Sequence, residues 1–85
     1  MQQTEIYTKD YCPYCRRAKK LLNIKGVAFV EYDVTRDSLL ENQMLQRAGH
    51  HTVPQIFIAN HHIGGCAELF SLDERGKLDP LLTGD

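Results

Sequence analysis

The stretch Cys12-Pro13-Tyr14-Cys15 constrains this chain more than any other. Two cysteines separated by two residues fit the first turn of a helix, close enough to form a disulfide. Pro13 lacks a backbone N–H and has φ preset near the helical value, so it suits the first helical position. That makes Cys12 the N-cap, where its sulfur can accept from the N–H groups of Tyr14 and Cys15. The positive end of the helix dipole then favours the thiolate, which is the nucleophile in thiol–disulfide exchange. Lys9 adds a cation three residues upstream, and Asp10 is expected to point away to solvent. Cys15, one turn into the helix, is more shielded and suits the resolving role: it attacks the mixed disulfide at Cys12 and releases the reduced substrate. The alternative for this spacing is half of a zinc site. The third cysteine, Cys66, belongs to no second pair, and a Pro-Tyr interior is stiff for a zinc knuckle. The reading is therefore redox, with no metal.

The remaining bounds agree. A chain of 85 residues supports one domain, taken here as residues 1–85, with a modest core. A net charge of −1 implies no bulk attraction to nucleic acid or membrane. No apolar run approaches the ~20 residues that span a bilayer, and Met1-Gln2-Gln3 does not read as a signal peptide. Three cysteines leave one unpaired if an intrachain disulfide forms. That fits a reducing compartment, and a cytoplasmic location is expected.

Along the chain, Thr4-Glu5-Ile6-Tyr7 reads as a short strand, and Pro13 to about Lys25 as a helix with Tyr14, Ala18, Leu21 and Leu22 near one face, stopping at Gly26. Arg16, Arg17, Lys19, Lys20 and Lys25 on this helix read as a solvated face; a positive rim near Cys12 is the alternative. Ala28 to Asp33 reads as a second strand, making a parallel βαβ unit with a right-handed crossover. Asp37 or Ser38 caps the next helix, with Glu41 placed for a capping box. Leu40, Met44 and Ala48 form its buried stripe and Gly49 closes it. After the loop at His50-His51-Thr52, Gln55-Ile56-Phe57-Ile58 is an apolar strand. It turns at Ala59-Asn60-His61 into a short return strand from His62, an antiparallel hairpin. A last helix runs from about Ala67 to Arg75. Leu78, Leu81 and Leu82 tie down the tail around Pro80, and Thr83-Gly84-Asp85 is expected to fray.

Three blocks now stand in order: Ile6-Tyr7-Thr8-Lys9 before the cysteine pair, Thr52-Val53-Pro54-Gln55-Ile56-Phe57-Ile58, and His62-Ile63-Gly64-Gly65-Cys66. With these blocks the chain closely resembles the dithiol glutaredoxins over nearly its whole length. The resemblance implies an α/β thioredoxin-like fold, β-α-β-α-β-β-α, with a mixed four-stranded sheet and helices on both faces. It implies reduction of protein disulfides and glutathione mixed disulfides, with glutathione as cosubstrate and no tightly bound cofactor. It implies a cis Val53–Pro54 bond, which would leave the Val53 backbone free to pair with an extended peptide. Lys9 and Tyr14 would flank glutathione near its glycine end, and Thr52, Val53 and Pro54 would run beside its cysteine. Gly65, Cys66 and Ala67 would present backbone N–H groups to the γ-glutamyl carboxylate. The family commonly carries Asp or Ser where this chain has Ala67; Glu68 follows it. Partners would be glutathione and disulfide-containing or glutathionylated proteins, with ribonucleotide reductase a family-level candidate, and the chain would be a monomer.

Two rival readings remain. One is a redoxin regenerated by thioredoxin reductase. The other is a dimeric iron–sulfur carrier using Cys12, which Pro13 disfavours. Among the remaining residues, Tyr14 is expected as a wall of the substrate groove and Cys66 as a small buried residue rather than a third redox thiol. Gly64-Gly65 is read either as a turn or as a close approach to ligand. His50-His51 and His61-His62 are expected as surface residues, since adjacent side chains in a strand point to opposite faces.

Overall fold

The structure, a computed structural model, describes residues 2–84. Its central element is β1, Thr4–Thr8, all five residues of which are buried. It lies between β2, Phe29–Asp33, which runs parallel to it, and β3, Gln55–Ile58, which runs antiparallel. An antiparallel β4, His61–Gly64, completes the sheet in the order β2-β1-β3-β4, with an irregularity between Ile56 and Phe57. Because side chains alternate along a strand, the two central strands feed two cores. Ile6, Ile56 and Ile58 face one side, where α1, Pro13–Ile24, and α3, Cys66–Glu74, supply Ala18, Leu22 and Leu69. Tyr7 and Phe57 face the other, where α2, Ser38–Ala48, supplies Met44. The expected mixed sheet with helices on both faces is thus present.

Of the two expected caps for α2 one is chosen, and two local expectations are corrected. Asp37, not Ser38, caps α2, its carboxylate accepting the Leu40 N–H at 3.0 Å. Glu41 therefore sits one residue too far along to close a capping box. The tail is not merely tethered: Leu78–Thr83 forms an eighth element, α4, ending at a left-handed Gly84. Pro80 is its third residue, where a helix has no use for the missing N–H, and Leu78 and Leu82 are buried one turn apart. The expected fraying is not seen at Thr83, which ends the helix, or at Gly84, whose N–H donates to the Pro80 carbonyl at 2.9 Å; Asp85, like Met1, falls outside the described residues.

The basic face of α1 also proves to be more than solvated. Lys19 pairs with Glu31 of β2 at 2.9 Å, and Lys25 bridges Asp73 at 2.6 Å and Asp79 at 2.9 Å. These pairs fasten α1 to the sheet edge, to α3 and to α4. Among the described residues no helix is long and apolar enough to cross a membrane.

Candidate active site

The chain leaves β1 through Lys9-Asp10-Tyr11 and enters α1 at Pro13. Cys12 is the N-cap, in extended backbone geometry, and its Sγ accepts the Cys15 N–H at 3.2 Å. Of the two expected donors, Cys15 is the one that bonds. The Lys9 carbonyl accepts the Cys12 N–H at 3.3 Å, which turns the loop into the helix. The Asp10 N–H donates to Thr35 Oγ1 at 2.9 Å, and the Asp10 carboxylate lies 3.7 Å from the Arg36 guanidinium. That carboxylate, 48% exposed, points out to solvent as expected, and its nearest cation is in the loop after β2. The Cys12 thiol in turn donates to the Val53 carbonyl at 3.7 Å. A side chain from one end of the fold is thereby held against a loop 41 residues away.

All three cysteines are free thiols. Their surroundings divide them. Cys12 is 8% exposed and Cys15 only 1%. Burial first, then the bond to the Cys12 sulfur, pushes the Cys15 thiol up to about 12. A thiol so held stays protonated at neutral pH. Cys66, the first residue of α3, is also buried, and that burial raises its thiol too.

The Val53–Pro54 bond is cis. Beside it opens a cleft of about 640 Å³. Tyr14, 58% exposed, stands on one side, Thr52, Val53 and Pro54 on the next, and Gly65, Cys66 and Ala67 on the third. Seven of the eight residues assigned to ligand binding by resemblance therefore meet at one cavity. Lys9 is the exception: among the described residues its backbone shapes the loop, and its side chain does not line the cleft.

Gly64 has φ +117°, and a Cβ there would meet Glu68 Cγ at 2.9 Å. A Cβ on Gly65 would lie 3.3 Å from the Pro54 carbonyl. The two glycines thus allow the chain to approach itself, bringing the start of α3 up to the proline loop. Glu68 Oε1 accepts the Gly65 N–H at 2.7 Å, so this carboxylate already occupies the first donor of the helix.

The cleft wall includes further residues that the sequence did not mark for it, among them Gln55, Ile63 and two histidines that are exposed as expected. His50 and His62, read from the sequence as surface histidines, both line it, with ring centroids 6.3 Å apart. Burial first, and then the charge of His50, holds the His62 imidazole below the usual histidine range. Gln55 Nε2 donates to the Thr52 carbonyl at 2.9 Å, which turns its Oε1 toward His62 Nε2 at 2.7 Å. The proline loop is thus braced from β3 and β4. His50 comes from the loop after α2 and His62 from β4, so the packing that brings them together is tertiary and no local pattern signals it. Among the described residues no cluster of three ligating side chains could hold a metal ion.

This arrangement can exchange thiols. Cys12 can open a disulfide, Cys15 can close on it, and the cleft can hold one side of the substrate.

Comparison with known proteins gives the same answer. A glutaredoxin family model matches residues 4–63. Glutaredoxin 3 of Escherichia coli strain K12 is 55% identical over 82 residues, 96% of this chain and 99% of that one. A glutaredoxin of Pseudomonas aeruginosa is 47% identical, covering 98% of this chain and 99% of that one. Among solved structures, a buckwheat glutaredoxin–glutathione complex superposes with a TM-score of 0.89 at 34% identity, over 98% of this chain and 78% of that one. The glutaredoxin of Brucella melitensis superposes with 0.84 at 48% identity, over 100% and 94%. With its cysteine pair at the head of α1, its sheet and its relatives in agreement, the chain belongs to the glutaredoxin family of thiol–disulfide oxidoreductases.

Proposed function

We propose that this protein reduces protein disulfides and glutathione mixed disulfides with electrons from glutathione, Cys12 being the nucleophile and Cys15 the resolving thiol. In the first step the Cys12 thiolate attacks the glutathione sulfur of a mixed disulfide. The Cys12–glutathione bond forms and the substrate leaves as a thiol, taking up a proton. A second glutathione thiolate then attacks the bound glutathione sulfur, forming glutathione disulfide and returning Cys12. With a protein disulfide, Cys12 forms the mixed disulfide instead and Cys15 attacks the Cys12 sulfur. Its proton passes to the departing thiolate, and two glutathione molecules reduce the resulting Cys12–Cys15 disulfide.

One observation carries the reading: the Cys12 sulfur is bonded to Val53, the residue whose backbone edges the cleft. A tripeptide lying in the cleft beside Thr52, Val53 and Pro54 would present its own sulfur to Cys12, with Tyr14 on one side and Gly65, Cys66 and Ala67 at its γ-glutamyl end. Lys9 belongs to the same rim, contributing through the loop. In this reading the protein works as a cytoplasmic monomer, with glutathione as cosubstrate and no tightly held cofactor. Ribonucleotide reductase is a candidate protein substrate.

The test is steady-state reduction of a glutathione mixed disulfide, recycled by glutathione, glutathione reductase and NADPH. Turnover should saturate, vanish in Cys12→Ser and persist in Cys15→Ser. Reduction of a protein disulfide should be lost in both. Equal loss of mixed-disulfide turnover in the two variants would refute the assignment of roles, and turnover only with thioredoxin reductase would refute glutathione as the donor.

A further inference from the structure

The cleft beside Cys12 does not end at the start of α3. A second trough of about 550 Å³ continues from it, and the two share His62, Ile63, Ala67 and Glu68. Ala67 lies at the join, where its single methyl group raises no wall between them. Beyond it, Ser71 and Arg75 follow at four-residue intervals along the same helical row. Leu72 and Leu81, the latter 38% exposed, form the apolar flank.

The far end of this trough carries a cation without a counter-charge. Lys19, Lys25, Arg36 and Arg47 each have a carboxylate partner. Arg75, like Lys9, Arg16, Arg17, Lys20 and Lys77 among the described residues, has none, and of these six it alone lines the trough; its Nε reaches only the Ser71 carbonyl, at 3.4 Å. The near end carries the opposite charge, the Glu68 carboxylate. From Ala67 to Arg75 the helix rises about 12 Å, which an extended chain covers in about four residues. A tripeptide whose sulfur must sit at Cys12 is too short to reach that far. A longer polypeptide is not.

We infer that the two troughs form one groove for an extended segment of a protein disulfide substrate, apolar where it crosses Ile63, Leu72 and Leu81 and acidic where it reaches Arg75. The inference rests on Cys12 as the nucleophile and adds a specificity that glutathione does not sense. It places the acidic residue about four or five positions from the reactive cysteine, on one side of it only.

The experiment uses short peptides with one cysteine held as a mixed disulfide with thionitrobenzoate. The reduced protein's Cys12 thiolate attacks the peptide sulfur, the thionitrobenzoate anion leaves, and Cys15 then releases the peptide thiol. The rate of anion release is measured at low salt while a single Glu or Lys is moved along the peptide on either side of the cysteine. Glu should exceed Lys by about threefold at the fourth or fifth position on one side, the size expected of an exposed ion pair. That difference should disappear in Arg75→Gln and reverse in Arg75→Glu. Both variants should reduce a small glutathione mixed disulfide at the parental rate. Indifference to charge at every position, or a preference that survives Arg75→Gln, overturns the inference. Loss of small mixed-disulfide turnover in the parent protein would instead defeat the glutathione reading, and the peptide series would still decide this one.

Discussion

Cys12 and Cys15 are three residues apart and differ in environment because one caps the start of the helix and the other is inside it. The N-cap position aims a backbone N–H at the Cys12 sulfur and leaves that residue 8% exposed, whereas Cys15, at 1%, is sealed beneath. The raised Cys15 thiol has a consequence for stability. The folded state favours its protonated form, so nothing is lost below the unfolded value of 9.0. Above it the unfolded chain gives up its proton first, and stability falls as pH rises. Under reducing conditions the loss should reach roughly 1.4 kcal/mol at pH 10, read as a melting temperature that drops more between pH 8 and 10 in the parent than in Cys15→Ser. Gly64 makes a second residue-scale case. Its positive φ and the nearby Glu68 side chain leave no room for Cβ. Gly64→Ala should cost about 2 kcal/mol in chemical denaturation, and it should raise the KM for mixed disulfides because it displaces the start of α3.

Each element shows where local chemistry suffices and where it does not. Helix α1 starts at Pro13 and stops before a left-handed Gly26, as its residues dictate. The β3–β4 hairpin turns through Ala59 and Asn60, both with positive φ. This geometry matches the twist of paired strands, and asparagine tolerates it while alanine does not. Ala59→Gly should therefore stabilise the fold by about 0.5 kcal/mol, the relief of strain exceeding the added freedom of the unfolded chain; a lower melting temperature would contradict it. Asp37→Ala should cost about 1 kcal/mol by removing the α2 cap, while Ser38→Ala should be nearly neutral. Helix α4 was missed because six residues containing a proline carry little periodic signal. The Leu78–Leu82 spacing was the sign of it.

At the scale of the molecule, a buried ionic network joins the sheet to α2. Arg47 donates through both terminal nitrogens to Glu5, at 3.1 Å each, and to the Tyr7 hydroxyl at 2.8 Å, while Tyr32 donates to Glu5 at 2.9 Å. The Arg47 bond, against the cost of burial, lowers the Glu5 carboxyl below its usual value. Its stabilising contribution is complete above the unfolded value of 4.5 and is lost as pH falls through the lower folded one. Acid unfolding should accordingly be shallower in Glu5→Gln, and Arg47→Ala should cost about 3 kcal/mol at pH 7 by stranding the carboxylate. Nothing in the sequence paired these two residues, 42 positions apart. The same division runs through the whole protein. The cysteine pair, its proline and the three sequence blocks determined the order of elements, the sheet and the candidate nucleophile, because caps, turns and alternation act over a few residues. Only the tertiary structure decided that His50 and His62 share a wall with Pro54, that the Lys9 side chain does not line the cleft, and that a second trough runs on past Ala67 to Arg75. Such contacts depend on strand register and helix packing, which bring distant residues together without leaving a local pattern.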